Sequence, residues 1–249
     1  MQPEVSLAPE VLFHLAGIPI TNTMLTAWLV VLVLILLARA AMANPKLTPR
    51  GLQNFVEWVA IGMLNVCESV AGRERGRRFF PFVCTFFLFI IVANWIEQIP
   101  LLVDNLGLMI SEGGKEAHRV PILRPPASDL NMTLALALIS WVTTQAVGIR
   151  AHGIGYVGRF LNVTHGPMGF IVGLLELISE LAKIISFSFR LLGNIFAGSV
   201  VLIVISFLVP ILIPVPFFGL ELFVGFIQAF VFAMLTLVFM TIAEQETAH

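Results

Sequence analysis

The feature that most constrains this sequence is a series of apolar stretches that are too long for the core of a water-soluble domain. A transmembrane helix needs about 20 consecutive apolar residues to cross the hydrocarbon core of a bilayer. The ranges 21–38, 79–96 and 130–149 contain no charged residue, and the range 166–243 stays apolar for far longer. Charged residues make up only 12% of the chain, compared with roughly 25% in typical soluble domains. The sequence therefore predicts a protein whose solvent is lipid.

These stretches predict an all-α membrane protein with about five transmembrane helices in a single integral membrane domain over residues 1–249. The predicted elements are an outer N-terminal segment, three separate spans and a C-terminal helix hairpin, at 1–20, 21–42, 79–100, 130–149 and 167–245. Pro210, Pro214 and Pro216 divide the last region into two helices, and the first of them, with roughly 40 residues, would be about 60 Å long. Because the hydrocarbon core is only ~30 Å thick, the hairpin is expected to be strongly tilted.

The segment 51–72 has a different pattern from the spans. Apolar residues recur at helical spacing from Leu52 and Phe55 onward, while Glu57 and Glu68 fall on the opposite side of the helix. Such two-sided helices usually lie in the plane of the membrane surface. We therefore expect an amphipathic surface helix here and not a further span.

The distribution of lysine and arginine predicts the orientation of the chain. Cytoplasmic segments carry an excess of these residues close to the ends of the spans. The segment before the first span has none, whereas the segment after it contains Arg39, Lys46, Arg50, Arg73, Arg75, Arg77 and Arg78. The N-terminus is therefore expected outside and the C-terminus in the cytoplasm.

Arg190 is the most informative residue of the hairpin. A charged side chain at the bilayer centre costs ~2.5–3.5 kcal/mol on insertion scales, so such residues are rare unless they are paired or used. No acidic residue stands three or four positions away from Arg190. An ion pair within one helix therefore does not explain this arginine, and we interpret it as a functional charge.

Further polar residues share the helix face that carries Arg190. Steps of three, four and seven residues keep side chains on one stripe of an α-helix. The residues related in this way are Glu176, Glu180, Lys183, Arg190 and Asn194. The stripe predicts a polar face along the first helix of the hairpin.

The second helix of the hairpin carries its own polar pair, Glu221 and Gln228, which also share one face. In an antiparallel hairpin that turns near Pro210, Gln228 should lie at about the depth of Arg190. By the same reasoning Glu221 should lie near Ser199. The sequence thus predicts a central cation with acidic residues toward both membrane surfaces.

Structural roles stay open for several of these acids. Glu176, Glu180 and Lys183 could simply neutralise one another near the inner interface, and Glu221 could be a structural acid. A glutamate at the end of a span is usually just solvated. That interpretation also stays open for the polar end of the second span, formed by Asn94, Glu97 and Gln98.

The pattern suits a proton path that is interrupted in the middle. Carboxyl groups in a wet cavity exchange protons with water. A guanidinium stays charged in proteins and cannot relay a proton. Arg190 would therefore block a continuous path while attracting a carboxylate on a moving partner, and a proton could cross only on that partner. This mechanism is a hypothesis.

Four segments resemble one known family over nearly the whole chain from the first span onward. The segments SFSFRLLGNIFAGSV and GFIQAFVFAMLTLVFM of the hairpin resemble subunit a of the F-type ATP synthase, in its bacterial and organellar form. The segments FIIVANWIEQIP and SDLNMTLALAL resemble its earlier helices. The resemblance implies a proton-translocating stator subunit of the membrane Fo sector, in the bacterial inner membrane, that offers two offset half-channels to a rotating ring.

The resemblance also implies roles for individual residues and partners. The essential arginine of the family matches Arg190, which would face the carboxylates of the c-subunit ring. Asn194 and Gln228 match polar positions near that arginine. The b-type peripheral stalk subunits would pack elsewhere on the chain, and the F1 sector would be reached only indirectly.

The expected proton path has one departure from the family. Asn94 and Glu97 match positions that line the outer half-channel, and Glu176 matches an acid on the inner side. Many bacterial relatives have glutamate at the position of Ser199 and histidine or glycine at that of Glu221. We expect that the acid has moved across the hairpin while staying in the same cavity.

The remaining expectations concern chemistry that this chain would not perform. No glycine-rich phosphate loop occurs, so we expect no catalytic site of its own, although the chain would be part of a proton-transporting ATPase. No cofactor or metal is expected, and the net charge of −1 argues against a nucleic-acid partner. The alternative function is a secondary transporter or ion channel with a charged site at the midplane, although transporters usually show internal repeats. A scaffold without transport would leave the buried Arg190 unexplained.

Overall fold

The computed structural model describes residues 10–15, 17–98, 107–110, 118–121, 124–153, 155–158, 166–209 and 214–245. The helices are α1 (Asn22–Met42), α2 (Leu52–Ala71), α3 (Arg73–Glu97), α4 (Leu130–His152), α5 (Gly155–Gly158), α6 (Gly166–Leu208) and α7 (Pro214–Gln245), with a 3-10 turn at Pro126–Ser128. The strands are β1 (Val11–Leu15), β2 (Ile18–Thr21), β3 (Gly107–Ile110) and β4 (His118–Pro121).

Within these ranges, five helices are long and apolar enough to cross a membrane, namely α1, α3, α4, α6 and α7. This confirms the predicted all-α membrane fold. The strands are the exception to it. They form two short antiparallel hairpins, β1–β2 and β3–β4, which the sequence analysis did not predict because each strand has only four or five residues.

The second span begins earlier than the range 79–100 suggests. Helix α3 starts at Arg73, directly after Gly72, whose φ of 81° ends α2. The chain reverses there so tightly that a Cβ on Gly76 would lie 2.7 Å from the backbone oxygen of Cys67. The first turns of α3 are therefore basic residues packed against α2, and the charge-free stretch covers only the rest of the helix.

The core lies where α3, α4, α6 and α7 meet. Phe232 of α7 is at its centre, with its ring centroid 5.3 Å from that of Phe86 in α3 and 4.9 Å from that of Phe187 in α6. Lipid is as apolar as these side chains, so their association depends on close packing and interhelical hydrogen bonds and less on the exclusion of water.

One end of the bundle is held by an ionic cluster, and we call it the basic end. Arg75 Nε of α3 lies 3.3 Å from Glu244 Oε2 of α7, and Arg78 also pairs with the Glu244 carboxylate. His152 Nε2, in the last turn of α4, donates to the Glu244 carbonyl oxygen at 3.1 Å. The start of α3 and the ends of α4 and α7 therefore lie on the same side, as an alternating series of spans requires.

Helix α6 is the least covered of the long helices. Only 11% of its most apolar window is buried, compared with 56% for α3. With 43 residues it is about 65 Å long, roughly twice the thickness of the hydrocarbon core. It therefore lies at the edge of the bundle and presents a wide apolar face to lipid or to a partner.

The central position of Phe232 gives a test of this packing. Phe232→Ala should lower the free energy of unfolding by ~3–5 kcal/mol, because it removes a ring in contact with two other helices. Phe223→Ala is the matched control on the same helix, since Phe223 is 60% exposed. Titration with denaturing detergent would measure both, and similar losses for the two variants would contradict the packing.

Candidate functional site

Arg190 lies on α6 with its side chain partly exposed. Its guanidinium carbon is 5.8 Å from the centroid of the Phe187 ring, which is within the range of a cation–π contact. The ion pairs among the described residues involve Arg75, Arg77, Arg78 and Lys183, and none of them includes Arg190. The described part of the chain thus gives this cation an aromatic face but no carboxylate.

The register of the α6–α7 hairpin fixes what lies beside Arg190. Gly198 is in contact with Glu221, and Phe187 is in contact with Phe232. The two contacts are eleven residues apart on both helices, so the register is constant between them. Arg190, three residues after Phe187, is therefore level with Ala229, the neighbour of Gln228.

Glu221 occupies the space that Gly198 leaves open. A Cβ on Gly198 would lie 2.4 Å from Glu221 Oε1, so no larger residue fits there without moving the carboxylate. Glu221 is only 9% exposed, and within the described residues neither oxygen accepts a hydrogen bond of ordinary geometry, although Gln98 lies nearby. Gln228 Nε2 is buried in the same condition. A buried polar group without a partner is costly, so both need water or a group beyond the described residues.

The end of α3 is joined to the turn of α7 that carries Glu221. Asn94 Nδ2 donates to the Gly225 carbonyl at 3.2 Å, and Trp95 Nε1 donates to the Leu222 carbonyl at 3.1 Å. Asn94 Oδ1 is buried without a partner among the described residues. Glu97 is the last residue of α3, and its side chain lies outside the described part. Asn94 therefore packs on α7 at Gly225, one turn from Glu221, away from the basic end.

The acids nearer the basic end have different surroundings. Glu180 is buried and accepts hydrogen bonds from Trp141 and Gln145 of α4, and it pairs with Lys183 at 2.5 Å. Glu176, one turn earlier on α6, is partly exposed. The residues of the predicted stripe thus have different partners on α6, because Glu180 is bound to α4, whereas Lys183 is bound to Glu180 and lies over the Phe239 ring of α7.

Two of the predicted site residues on α6 lie beyond Arg190. Asn194 is partly exposed, and the Ser199 hydroxyl donates to the Ile195 carbonyl at 2.9 Å. Ser199 is next to Gly198, which faces the Glu221 carboxylate. Ser199 and Glu221 therefore lie at the same level of the hairpin.

Sequence reasoning missed one buried acid, Asp129. Its side chain caps the start of α4 by accepting from Asn131 N and also accepts from Thr23 Oγ1 of α1, both at 2.9 Å. Near it, the hydroxyls of Thr133 and Ser188 form a 2.9 Å hydrogen bond between α4 and α6. An aspartate directly before an apolar helix is a recognisable N-cap signal, but its burial depends on α1, which the local sequence does not show.

These features define a polytopic integral membrane protein with a charged site between its longest helices. The family model described as ATP synthase A chain matches residues 24–241. This match covers most of the sequence and all five long helices. The chain belongs to the ATP synthase A chain family.

Curated relatives agree with this assignment. The ATP synthase subunit a of Citrifermentans bemidjiense is 35% identical over 225 residues, which cover 89% of this chain and 86% of the relative. The ATP synthase subunit a of Desulfotalea psychrophila is 37% identical over 226 residues, covering 89% and 83%. That of Gloeobacter violaceus is 37% identical over 215 residues, covering 86% and 80%.

The close contact between Gly198 and Glu221 can be tested with a methyl group. Gly198→Ala should destabilise the protein by ~1–3 kcal/mol, because overpacking displaces the carboxylate, even though alanine favours helices. Gly193→Ala is the control, since no atom lies within 4 Å of the position of its added Cβ. Denaturing-detergent titration measures both, and an unchanged or raised stability of Gly198→Ala would show that the contact does not exist.

Proposed function

We propose that this chain is the proton-translocating stator subunit of the membrane Fo sector of ATP synthase. Membership of the ATP synthase A chain family supports the assignment, as do relatives named ATP synthase subunit a. The observation that carries the mechanism is the partly exposed Arg190, which no acid of the described chain pairs with. A permanent charge in this position is suited to attract a carboxylate of a partner subunit.

The outer half-channel is proposed to end at the polar group around Glu221. The Glu221 oxygens and Gln228 Nε2 are buried without a hydrogen bond of ordinary geometry among the described residues, which favours water at both positions. Asn94 is packed on Gly225, one turn from Glu221, and we place Asn94, Ser199 and Glu97 on the same route. A proton would pass along these groups and then bind a carboxylate of the rotating ring.

The inner half-channel is proposed to open at Glu176, on the part of α6 nearer the basic end. Glu180 and Lys183 border this route. Arg190 separates the two half-channels, because a guanidinium attracts a deprotonated ring carboxylate but cannot carry a proton itself. Asn194, one turn from Arg190, would meet the same ring surface. A proton then crosses only by travelling around on the ring, which couples its flow to rotation and to ATP synthesis or hydrolysis.

The ring is proposed to contact the exposed apolar face of α6. Family membership places the chain among other ATP synthase subunits, and α6 is the long helix with the least coverage by its own chain. The b-type stalk subunits are assigned to other faces, and the F1 sector is reached through them. No cofactor takes part.

The basic end is proposed to face the cytoplasm of a bacterial cell, with the plasma membrane around the bundle. Arginines concentrate there, from Arg73 to Arg78 on α3 and at Arg150 on α4, and lysine and arginine mark cytoplasmic ends. Five alternating spans then put the start of α1 outside and the end of α7 inside.

Replacing Arg190 tests the proposed function directly. Arg190→Ala should abolish ATP-driven proton uptake into vesicles that contain the reconstituted complex, because nothing then separates the half-channels or holds the ring carboxylate. Arg150→Ala, which removes an exposed arginine at the end of α4, should pump normally. Fluorescence quenching of a pH-sensitive dye gives the rate. Normal coupled pumping by Arg190→Ala would refute the stator and favour a transporter or a scaffold.

The proposed exchange of the acid across the hairpin gives a second test. Glu221→Gln should slow proton pumping at least tenfold, because the last titratable group of the outer half-channel is lost. For the same reason, the pumping rate should depend differently on the pH of the side to which this half-channel opens. Ser199→Glu in the same chain should restore a large part of the rate, since the two positions are level. Glu74→Gln at the basic end is the neutral control. An unchanged pH profile in Glu221→Gln would remove this residue from the route.

A further inference from the structure

Glu180, ten residues before Arg190 on α6, is a buried charge with several hydrogen-bond donors. It is 5% exposed, and its Oε2 accepts from Trp141 Nε1 at 2.9 Å and from Gln145 Nε2 at 2.8 Å. Its Oε1 accepts from Lys183 Nζ at 2.5 Å. Lys183 in turn lies 4.6 Å from the centroid of the Phe239 ring of α7. One carboxylate thus connects α6 to α4, and its counter-ion connects α6 to α7.

Within the described residues, the Glu180 contact is accompanied by another polar contact between α4 and α6. This other contact is the hydrogen bond between the hydroxyls of Thr133 and Ser188, nearer the opposite end. Eight residues separate Thr133 from Trp141 on α4, and eight separate Ser188 from Glu180 on α6. Two contacts about two turns apart fix both the depth of a helix and its rotation about its axis.

This rotation decides where Arg190 points. Arg190 follows Ser188 by two residues, and Phe187, whose ring it covers, lines a small cavity together with Glu180 and Lys183. Because little of α6 is buried, its packing alone defines its rotation weakly. Consecutive residues of an α-helix differ by about 100° in their direction around the axis. A rotation by even part of this angle would therefore carry the guanidinium away from the ring surface.

Glu180 fits poorly as a proton relay. A relay must exchange protons with water, but this carboxylate is buried and both of its oxygens accept hydrogen bonds. Protonation would break the pair with Lys183, and the residues of α4 and α7 that line the adjoining cavity include no charged side chain. Partly exposed Glu176, one turn away, is the acid that water can reach.

We propose that Glu180 is a positioning residue that fixes the rotation of α6 through its hydrogen bonds to α4, and thereby the direction of Arg190, and that it does not relay protons. This inference rests on the proposed function of Arg190. It assigns Trp141 and Gln145 of α4 to the same task, because they bind the carboxylate from the neighbouring helix.

Two double variants in the reconstituted complex distinguish a positioning role from a proton relay, because the two roles predict opposite orders of their pumping rates. W141F/Q145L leaves the carboxylate and its ion pair intact but removes both donors of α4. E180Q/K183M removes the titratable group and its counter-ion together, while the amide oxygen can still accept from α4. For a positioning role, E180Q/K183M should pump at least threefold faster than W141F/Q145L, with the wild-type pH profile. The opposite order, or a shifted pH profile in E180Q/K183M, would overturn the proposal.

A labelling experiment reports the rotation of α6 without relying on transport. N194C, one turn beyond Arg190, is combined with each double variant and treated with a small charged methanethiosulfonate; the two native cysteines are buried. W141F/Q145L should change the labelling rate at least threefold, and E180Q/K183M should change it less. Equal rates in all proteins would refute the positioning role. If Arg190→Ala pumps normally, the proposed function itself fails, whatever the labelling shows.

Discussion

The structure depends on keeping one guanidinium charge stable in a largely apolar environment. Arg190 has the face of Phe187 beside it and no carboxylate from the described part of its own chain. A charge at this depth is tolerated only with polar surroundings or water. The register of the hairpin puts Ala229, the neighbour of Gln228, level with the arginine. In the described part of the chain, the contact that this charge makes is therefore aromatic and not ionic.

Small residues decide where polar groups can be buried around this charge. Glu221 fits because Gly198 has no side chain, and Asn94 packs on Gly225, whose added Cβ would lie 3.2 Å from the asparagine Cβ. In each pair a glycine lets a polar side chain approach a helix backbone closely. The Glu221 oxygens and Asn94 Oδ1 are thereby buried on α7 and α3 without a hydrogen bond of ordinary geometry to the described residues.

The basic end and the interior of the bundle are held in different ways. At the basic end, Glu244 pairs with Arg75 and Arg78 where all three side chains are at least partly exposed, so each pair adds little stability. Deeper in the bundle, buried hydrogen bonds such as Ser140 to Thr236 and Thr133 to Ser188 join α4 to α7 and α6. These bonds are specific because a buried polar group without its partner is costly. These buried hydrogen bonds fix the positions of the helices relative to one another, which apolar packing specifies less narrowly.

The sequence by itself determined the five long apolar helices, the surface helix pattern, the polar stripe that contains Arg190 and the family motifs. These features depend on local sequence, because the length of an apolar stretch and its helical periodicity can be determined within a single segment. Tertiary structure alone decided that Glu180 binds α4, that Asp129 is buried against α1 and that the Glu221 carboxylate lies on Gly198. It also decided that α3 begins at Arg73, where α2 packs on Gly76. Periodicity tells which face of a helix a residue occupies, but the group opposite that face belongs to another helix, and only the packing of the bundle selects it.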